Sequence, residues 1–120
     1  MLKLKASKAS SSNIIILANA KSNLKKIAGI DSSYLNSKIK SEENGISFSS
    51  VNDKLVYVVY GNKVSDSANQ AFQDYRVLGS KLTKAANAEK IGSVTLLADS
   101  SISNENILAF AEGMTLENYQ

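Results

Sequence analysis

The sequence predicts an α/β fold, a mixed and mostly parallel sheet flanked by helices, on three observations. Leu55-Val56-Tyr57-Val58-Val59-Tyr60 is a continuous apolar run, as in a strand covered on both faces. Ser67 to Asn87 places its apolar residues at helical spacing, and Val94 to Ala98 is a second short apolar run. Strand, long helix and strand in that order read as a right-handed parallel crossover. At roughly 1.5–3 kcal/mol per buried large side chain, the first run is enough to anchor a core.

Taken in order, Leu2-Lys3-Leu4-Lys5-Ala6 alternates strictly and suits a half-buried edge strand. Ser7 to Asn13 is a polar, serine-rich connection, and Ile14 to Ala18 reads as an interior strand. Asn19 to Ile30 is ambiguous: Leu24, Ile27 and Ala28 are helically spaced, but Gly29 closes the segment early. Asp31-Ser32-Ser33 offers N-caps to a short helix with Tyr34, Leu35 and Ile39 facing inward and Asn44-Gly45 as its stop. Ile46 to Ser49 alternates like a strand wet on one side, and Asn52-Asp53 supplies a two-residue turn.

The long helix carries Ala68, Phe72, Tyr75, Gly79, Leu82 and Ala86 as one apolar stripe, widened by Ala71, Leu78 and Ala85. Gln73, Arg76, Lys84 and Asn87 lie opposite. Ser67 and Gln70 have capping-box spacing. Gly79 costs about 1 kcal/mol relative to Ala in a helix, which predicts a close approach to the sheet. Asp99 to Ser103 is a polar loop, and Ile107, Leu108, Phe110, Ala111 and Met114 define a final helix.

Composition narrows the function. The chain has 120 residues, one domain with room for a real core. No apolar run approaches the ~20 residues of a membrane span. The lysines before Ile14 to Ala18 mimic a secretion signal, but the apolar part is too short, so the expected setting is cytoplasmic. Without Cys there is no thiol nucleophile or thiolate metal site, and without His the commonest neutral-pH acid/base group is missing. Six lysines (Lys3, Lys5, Lys8, Lys21, Lys25 and Lys26) and no carboxylate precede Asp31. Such a basic segment attracts nucleic acid or guards an edge strand; with no aromatic between the lysines, guarding is favoured.

Motifs for catalysis do not emerge. Glu42-Glu43 reads as surface, and Tyr57 and Tyr60 as core rather than a base-stacking platform. Asp66 and Asp99 each follow a strand, where α/β proteins often place ligands, yet each also suits helix capping. With the Gly61-Asn62 turn they outline one sheet end that could hold a small ligand. The loop Gly61-Asn62-Lys63-Val64-Ser65 has one glycine, too few for a phosphate cradle. No residue is assigned as catalytic, cofactor-binding or metal-ligating.

The final stretch Ala109-Phe110-Ala111-Glu112-Gly113-Met114-Thr115-Leu116-Glu117-Asn118-Tyr119-Gln120 resembles the interdomain helix of the leucyl (cytosol) aminopeptidases, the M17 family. There an A-x-A-E-G-x-x-L-x-x-Y pattern leads from the N-terminal domain towards the catalytic one. The order of strands and helices upstream is also similar to that domain. The resemblance implies a macro-domain-like, non-catalytic N-terminal module, with 104–120 opening the helix to a catalytic domain absent here. It implies a hexamer, and zinc or manganese held in that other domain rather than in this segment. The family's N-T-D-A-E-G-R stretch does not occur, so no functional residue carries over. Severed from its partner, the last helix is expected to expose Phe110 or Leu116 and to self-associate weakly. A stand-alone binder of nucleic acid or of an ADP-ribose-type ligand is the alternative.

Overall fold

The computed structural model describes residues 3–5, 13–51, 53–89 and 93–118. Five strands form one sheet in the order β1-β5-β2-β4-β3: β1 Lys3–Lys5, β2 Asn13–Ala18, β3 Asn44–Val51, β4 Lys54–Gly61 and β5 Ser93–Ala98. β1, β5, β2 and β4 run parallel, and β3 closes the edge antiparallel to β4. The hairpin expected between β3 and β4 is therefore present, and the parallel crossover spans β2 to reach β5. The run Leu55–Tyr60 lies in β4, beside the edge strand β3, and the middle strand is β2, whose Asn-Ile-Ile-Ile-Leu-Ala sequence is buried almost throughout. Residues 2, 6–12 and 52, part of the expected first strand, the serine-rich connection and half of the hairpin turn, lie outside the described residues.

Helices cover both faces. On one face α1 Leu24–Ala28 and α2 Ser33–Lys38 bury Leu24, Leu35 and, just past α2, Ile39 against Ile14, Ile16, Val56, Val58 and Tyr60. The segment 19–30 resolves into a loop and one short helix: Asn23 caps its start, and Gly29, at φ 69°, ends it in the left-handed conformation. On the other face α3 Ala68–Ala88 and α4 Asn104–Asn118 bury Tyr75, Leu78, Leu82, Phe110 and Met114 against Ile15, Leu17, Tyr57 and Val59. Alternate residues of β2 and β4 thus serve opposite cores, which is why neither strand alternates in polarity.

Several local expectations are corrected. Tyr34 is 51% exposed; its ring lies beneath the Lys38 ammonium, 5.5 Å from the centroid, while Leu35 and Ile39 point inward. Asn44-Gly45 does not stop α2. Ile39 ends that helix, and Asn44 and Gly45 already belong to β3, which is longer than the expected Ile46–Ser49. Ser67 is the N-cap of α3 but its side chain makes no cap bond. Gln70 instead donates to Asp74 Oδ1 at 3.0 Å, and Asp74 Oδ2 accepts the Ser65 N–H at 3.0 Å, so Asp74 does the tethering. Ala68 is exposed rather than part of the stripe. Phe110 is fully buried, so of the two side chains expected to be uncovered only Leu116, 46% exposed, is.

The largest correction is Gly79. It approaches α4, not the sheet: a Cβ there would stand 2.0 Å from the Phe110 carbonyl oxygen and 3.1 Å from the Met114 nitrogen. Gly113 of α4 reciprocates, since its Cβ would meet the Arg76 carbonyl oxygen at 2.0 Å. Two long helices therefore cross backbone to backbone at a pair of glycines. Arg76–Glu112 at 3.2 Å and the Ser80 hydroxyl donating to Glu117 at 2.7 Å fix the crossing. No helix among the described residues is long and apolar enough to cross a membrane.

Candidate functional site

The parallel strands end on one side of the sheet, and their following segments diverge there. β2 leads to α1 on one face, whereas β4 and β5 lead to α3 and α4 on the other. Adjacent parallel strands that part in this way leave a crevice at their carboxyl ends, the usual ligand position in open α/β sheets. Here the loop Asn19–Asn23 after β2 stands between two such crevices.

Its backbone is held from both sides. The Asn19 N–H donates to Ser22 Oγ at 2.9 Å, and the Lys21 N–H to Asn19 Oδ1 at 2.9 Å. Asn19 Nδ2 reaches Ser101 Oγ at 3.1 Å beyond β5. On the other flank Asn62, after β4, accepts the Ala20 N–H at 2.6 Å and donates to the carbonyls of Ile39 at 2.6 Å and Ser41 at 2.7 Å. One amide thus ties together three segments far apart in the chain.

The first crevice, about 520 Å³, lies between β2 and β5 and is lined by Lys21, Asn23, Lys26, Ile27, Leu97 and Asp99 among others. The second, about 510 Å³, lies between β2 and β4, with Asn19, Lys21, Lys40, Ser41, Glu42 and Asn62 in its wall. Both volumes lie within the ~300–1,000 Å³ of small-molecule sites. Lys21 borders both. In the first, Ile27 and Leu97 give an apolar wall and the two lysines a positive rim. Among the described residues no carboxylate pairs with Lys21, Lys25 or Lys26.

Asp99 supplies the crevice with its negative charge. Its backbone N–H donates to the Leu17 carbonyl at 2.9 Å, and its Oδ1 accepts the Ser101 N–H at 2.8 Å. Hydrogen bonding from the Ser22 hydroxyl, and then from the Ser101 N–H and hydroxyl, holds this carboxyl below the usual aspartate range. It is an ionised acceptor at neutral pH. Asp99 does not cap α4, where Ser103 Oγ accepts the Asn106 N–H at 3.2 Å; its carboxylate instead closes the turn after β5 from the crevice wall.

The structure separates the other candidates. Asp66 is exposed in the loop before α3, outside both crevices, and does not cap that helix. Gly61 and Asn62 line the second crevice, apart from Asp99. Glu42 and Glu43 lie in the turn before β3, and Glu43 pairs with Lys63 at 3.4 Å on the surface. Tyr57 and Tyr60 are core; burial, and then the charge of Glu89, pushes the Tyr57 phenol up. The described backbone of the basic segment divides between two places. Lys3 and Lys5 pair with Ser93 and Thr95 at the amino half of β5, while Lys21, Lys25 and Lys26 lie at its carboxyl end.

What the sequence did not reveal is that Lys21, Lys26 and Asp99 share one crevice, since they meet only through strand order. A weak signal existed for Asn62, an asparagine directly after a strand and its glycine. Chemically, the arrangement can bind an anion beside a hydroxyl or amine. Among the described residues no group of three or more His, Cys, Asp or Glu could hold a metal ion. Comparison with protein-family models, curated proteins and solved structures gave no match to this chain.

Proposed function

We propose that this chain is a non-catalytic module of the leucyl aminopeptidase N-terminal type, serving assembly and support in a cytoplasmic hexamer. Release of N-terminal amino acids would fall to a separate two-metal domain carrying zinc or manganese. The observation that supports this reading is the division of labour along α4. Ala109, Phe110, Gly113 and Met114 are buried against α3 and the sheet, and Glu112 pairs with Arg76. Of the motif positions, Ala109, Glu112 and Gly113 therefore belong to the helix pair. Leu108 and Leu116 remain 66% and 46% exposed, and Leu116 lines a shallow groove of about 280 Å³ with Val77, itself 52% exposed. Such a face suits a neighbouring domain.

The test is twofold. Sequencing the transcript beyond the Gln120 codon should reveal an in-frame domain with Asp, Glu and Lys metal ligands; a stop codon or an unrelated domain overturns the reading. The purified 120-residue chain should leave leucine p-nitroanilide intact, and turnover by it would equally sink the proposal.

A second reading, an ADP-ribose-type ligand in the first crevice, is favoured by the meeting of Lys21, Lys26 and Asp99 there. The ammonium groups suit phosphate oxygens, Asp99 suits ribose hydroxyls, and Ile27 with Leu97 suits a flat ring. Titration calorimetry with ADP-ribose should show saturable heat. Lys21→Ala with Lys26→Ala should weaken binding about a hundredfold, at roughly 1.4 kcal/mol per lysine, and Asp66→Ala should leave it unchanged. Absence of heat removes this reading without touching the first. Nucleic acid is the weaker alternative, because Lys3 and Lys5 lie along the amino half of β5 whereas Lys21 and Lys26 lie at its carboxyl end.

A further inference from the structure

At the carboxyl ends of β2 and β4 the second crevice gathers charges that do not cancel. Lys21 reaches it from the loop after β2, and Lys40 and Glu42 from the turn between α2 and β3. All three are exposed, and among the described residues none of them stands in a salt bridge. Glu43, one residue on, is different: it is paired with Lys63 at 3.4 Å, whereas Glu42 lines the crevice.

The backbone that carries these charges is fixed. Asn62, just past β4, accepts the Ala20 N–H at 2.6 Å and so holds the chain next to Lys21. The same amide donates to the carbonyls of Ile39 at 2.6 Å and Ser41 at 2.7 Å, on either side of Lys40. Two segments remote in sequence are thereby clamped to one side chain. Each is stiffened again within itself, the Lys21 N–H donating to Asn19 Oδ1 at 2.9 Å and the Glu43 N–H to Ser41 Oγ at 3.2 Å. A site whose backbone is set before its ligand arrives loses less entropy on binding. β2 and β4 are adjacent and parallel, and the carboxyl ends of such strands are where open α/β sheets carry ligands.

We propose that this crevice is a binding site for a free dicarboxylic α-amino acid of the glutamate type. Two ammonium groups and one carboxylate on the protein complement two carboxylates and one ammonium on the ligand. Hydrogen bonds between opposite charges are the strong ones. A simple dicarboxylate or a phosphate satisfies the lysines but meets Glu42 as a like charge. An amino acid with a neutral side chain leaves one lysine unmatched. Discrimination therefore comes from repulsion as well as attraction. A volume of about 510 Å³ accommodates a ligand of this size. The proposal requires neither the aminopeptidase module nor an ADP-ribose-type ligand in the first crevice.

Titrating the isotope-labelled 120-residue chain with sodium L-glutamate, at ionic strength held constant with sodium chloride, tests it by amide chemical shifts. Saturable shifts are expected at Ala20, Lys21, Ser41, Glu42 and Asn62, with a Kd on the order of 1 mM because the charges are solvated. Glutarate, which lacks the ammonium, and glutamine, which lacks the second carboxylate, should each bind about tenfold more weakly. Lys40→Ala should weaken glutamate binding by a similar factor. Glu42→Gln should abolish the preference for glutamate over glutarate, a change that simple loss of structure does not mimic. Lys26→Ala, in the first crevice, should alter nothing. Absence of saturable shifts up to ~20 mM glutamate overturns the proposal. So does equal affinity for glutamate and glutarate, the mark of a plain anion site, or undiminished binding by Lys40→Ala. Shifts centred on Ile27 and Leu97 also refute it, since they would place the ligand in the first crevice. Calorimetry with ADP-ribose is decided separately, so either reading can fail without the other.

Discussion

Replacing Gly79 with alanine is expected to destabilise the chain by about 2–3 kcal/mol, lowering Tm by roughly 8–15 °C. Alanine is ordinarily about 1 kcal/mol better than glycine inside a helix, so intrinsic propensity predicts the opposite sign. Geometry decides, because the new methyl would stand 2.0 Å from the Phe110 carbonyl oxygen. A backbone atom cannot rotate out of the way. α4 must lift, and the contacts of Leu78, Leu82, Phe110 and Met114 loosen with it. Gly113→Ala should cost a similar amount, against the Arg76 carbonyl. The double variant should fall short of the sum by about 1 kcal/mol, since helices separated by one methyl accommodate the second. Urea unfolding of the four proteins measures this coupling; strict additivity, or stabilisation by Gly79→Ala, would contradict the close crossing.

Asn62→Ala is expected to cost about 2–3 kcal/mol. Each of the three lost hydrogen bonds, at 2.6–2.7 Å, contributes on the order of 1 kcal/mol net. Asn62→Asp should be at least as damaging: it keeps the acceptor for Ala20 but sets a carboxylate against the carbonyls of Ile39 and Ser41. Hydrogen exchange should show early opening at residues 19–23 and 39–41, with α3 still protected. Uniform loss of protection would mean that Asn62 supports the whole core rather than the loop.

Strand positions were legible because burial on both faces leaves an unmistakable mark, as in Ile14-Ile15-Ile16-Leu17 and Val56-Tyr57-Val58-Val59. The neighbour of a helix was not. A 3.6-residue stripe says which side of α3 is covered, but a sheet and another helix cover it with the same periodicity. The pairing of Gly79 with Gly113 was hinted at by a glycine in the middle of each long helix, where propensity alone would remove it. The capping box failed because Asp74, a turn further on, offers Gln70 and Ser65 a charged acceptor, stronger than a serine hydroxyl. The crevice was invisible for another reason: Lys21 and Asp99 are brought together by the sheet order, which no local pattern encodes.

The central strand has a consequence for how the chain acquires its shape. Ile14 of β2 meets Val56 on one side and Thr95 on the other, partners 42 and 81 positions away. Among the described strand pairs only the β3–β4 hairpin joins nearby residues, so folding should be slow for this length. During synthesis the isoleucines of β2 emerge long before β5 exists to flank them. Until then they are an unpaired apolar ribbon in the nascent polypeptide, open to aggregation.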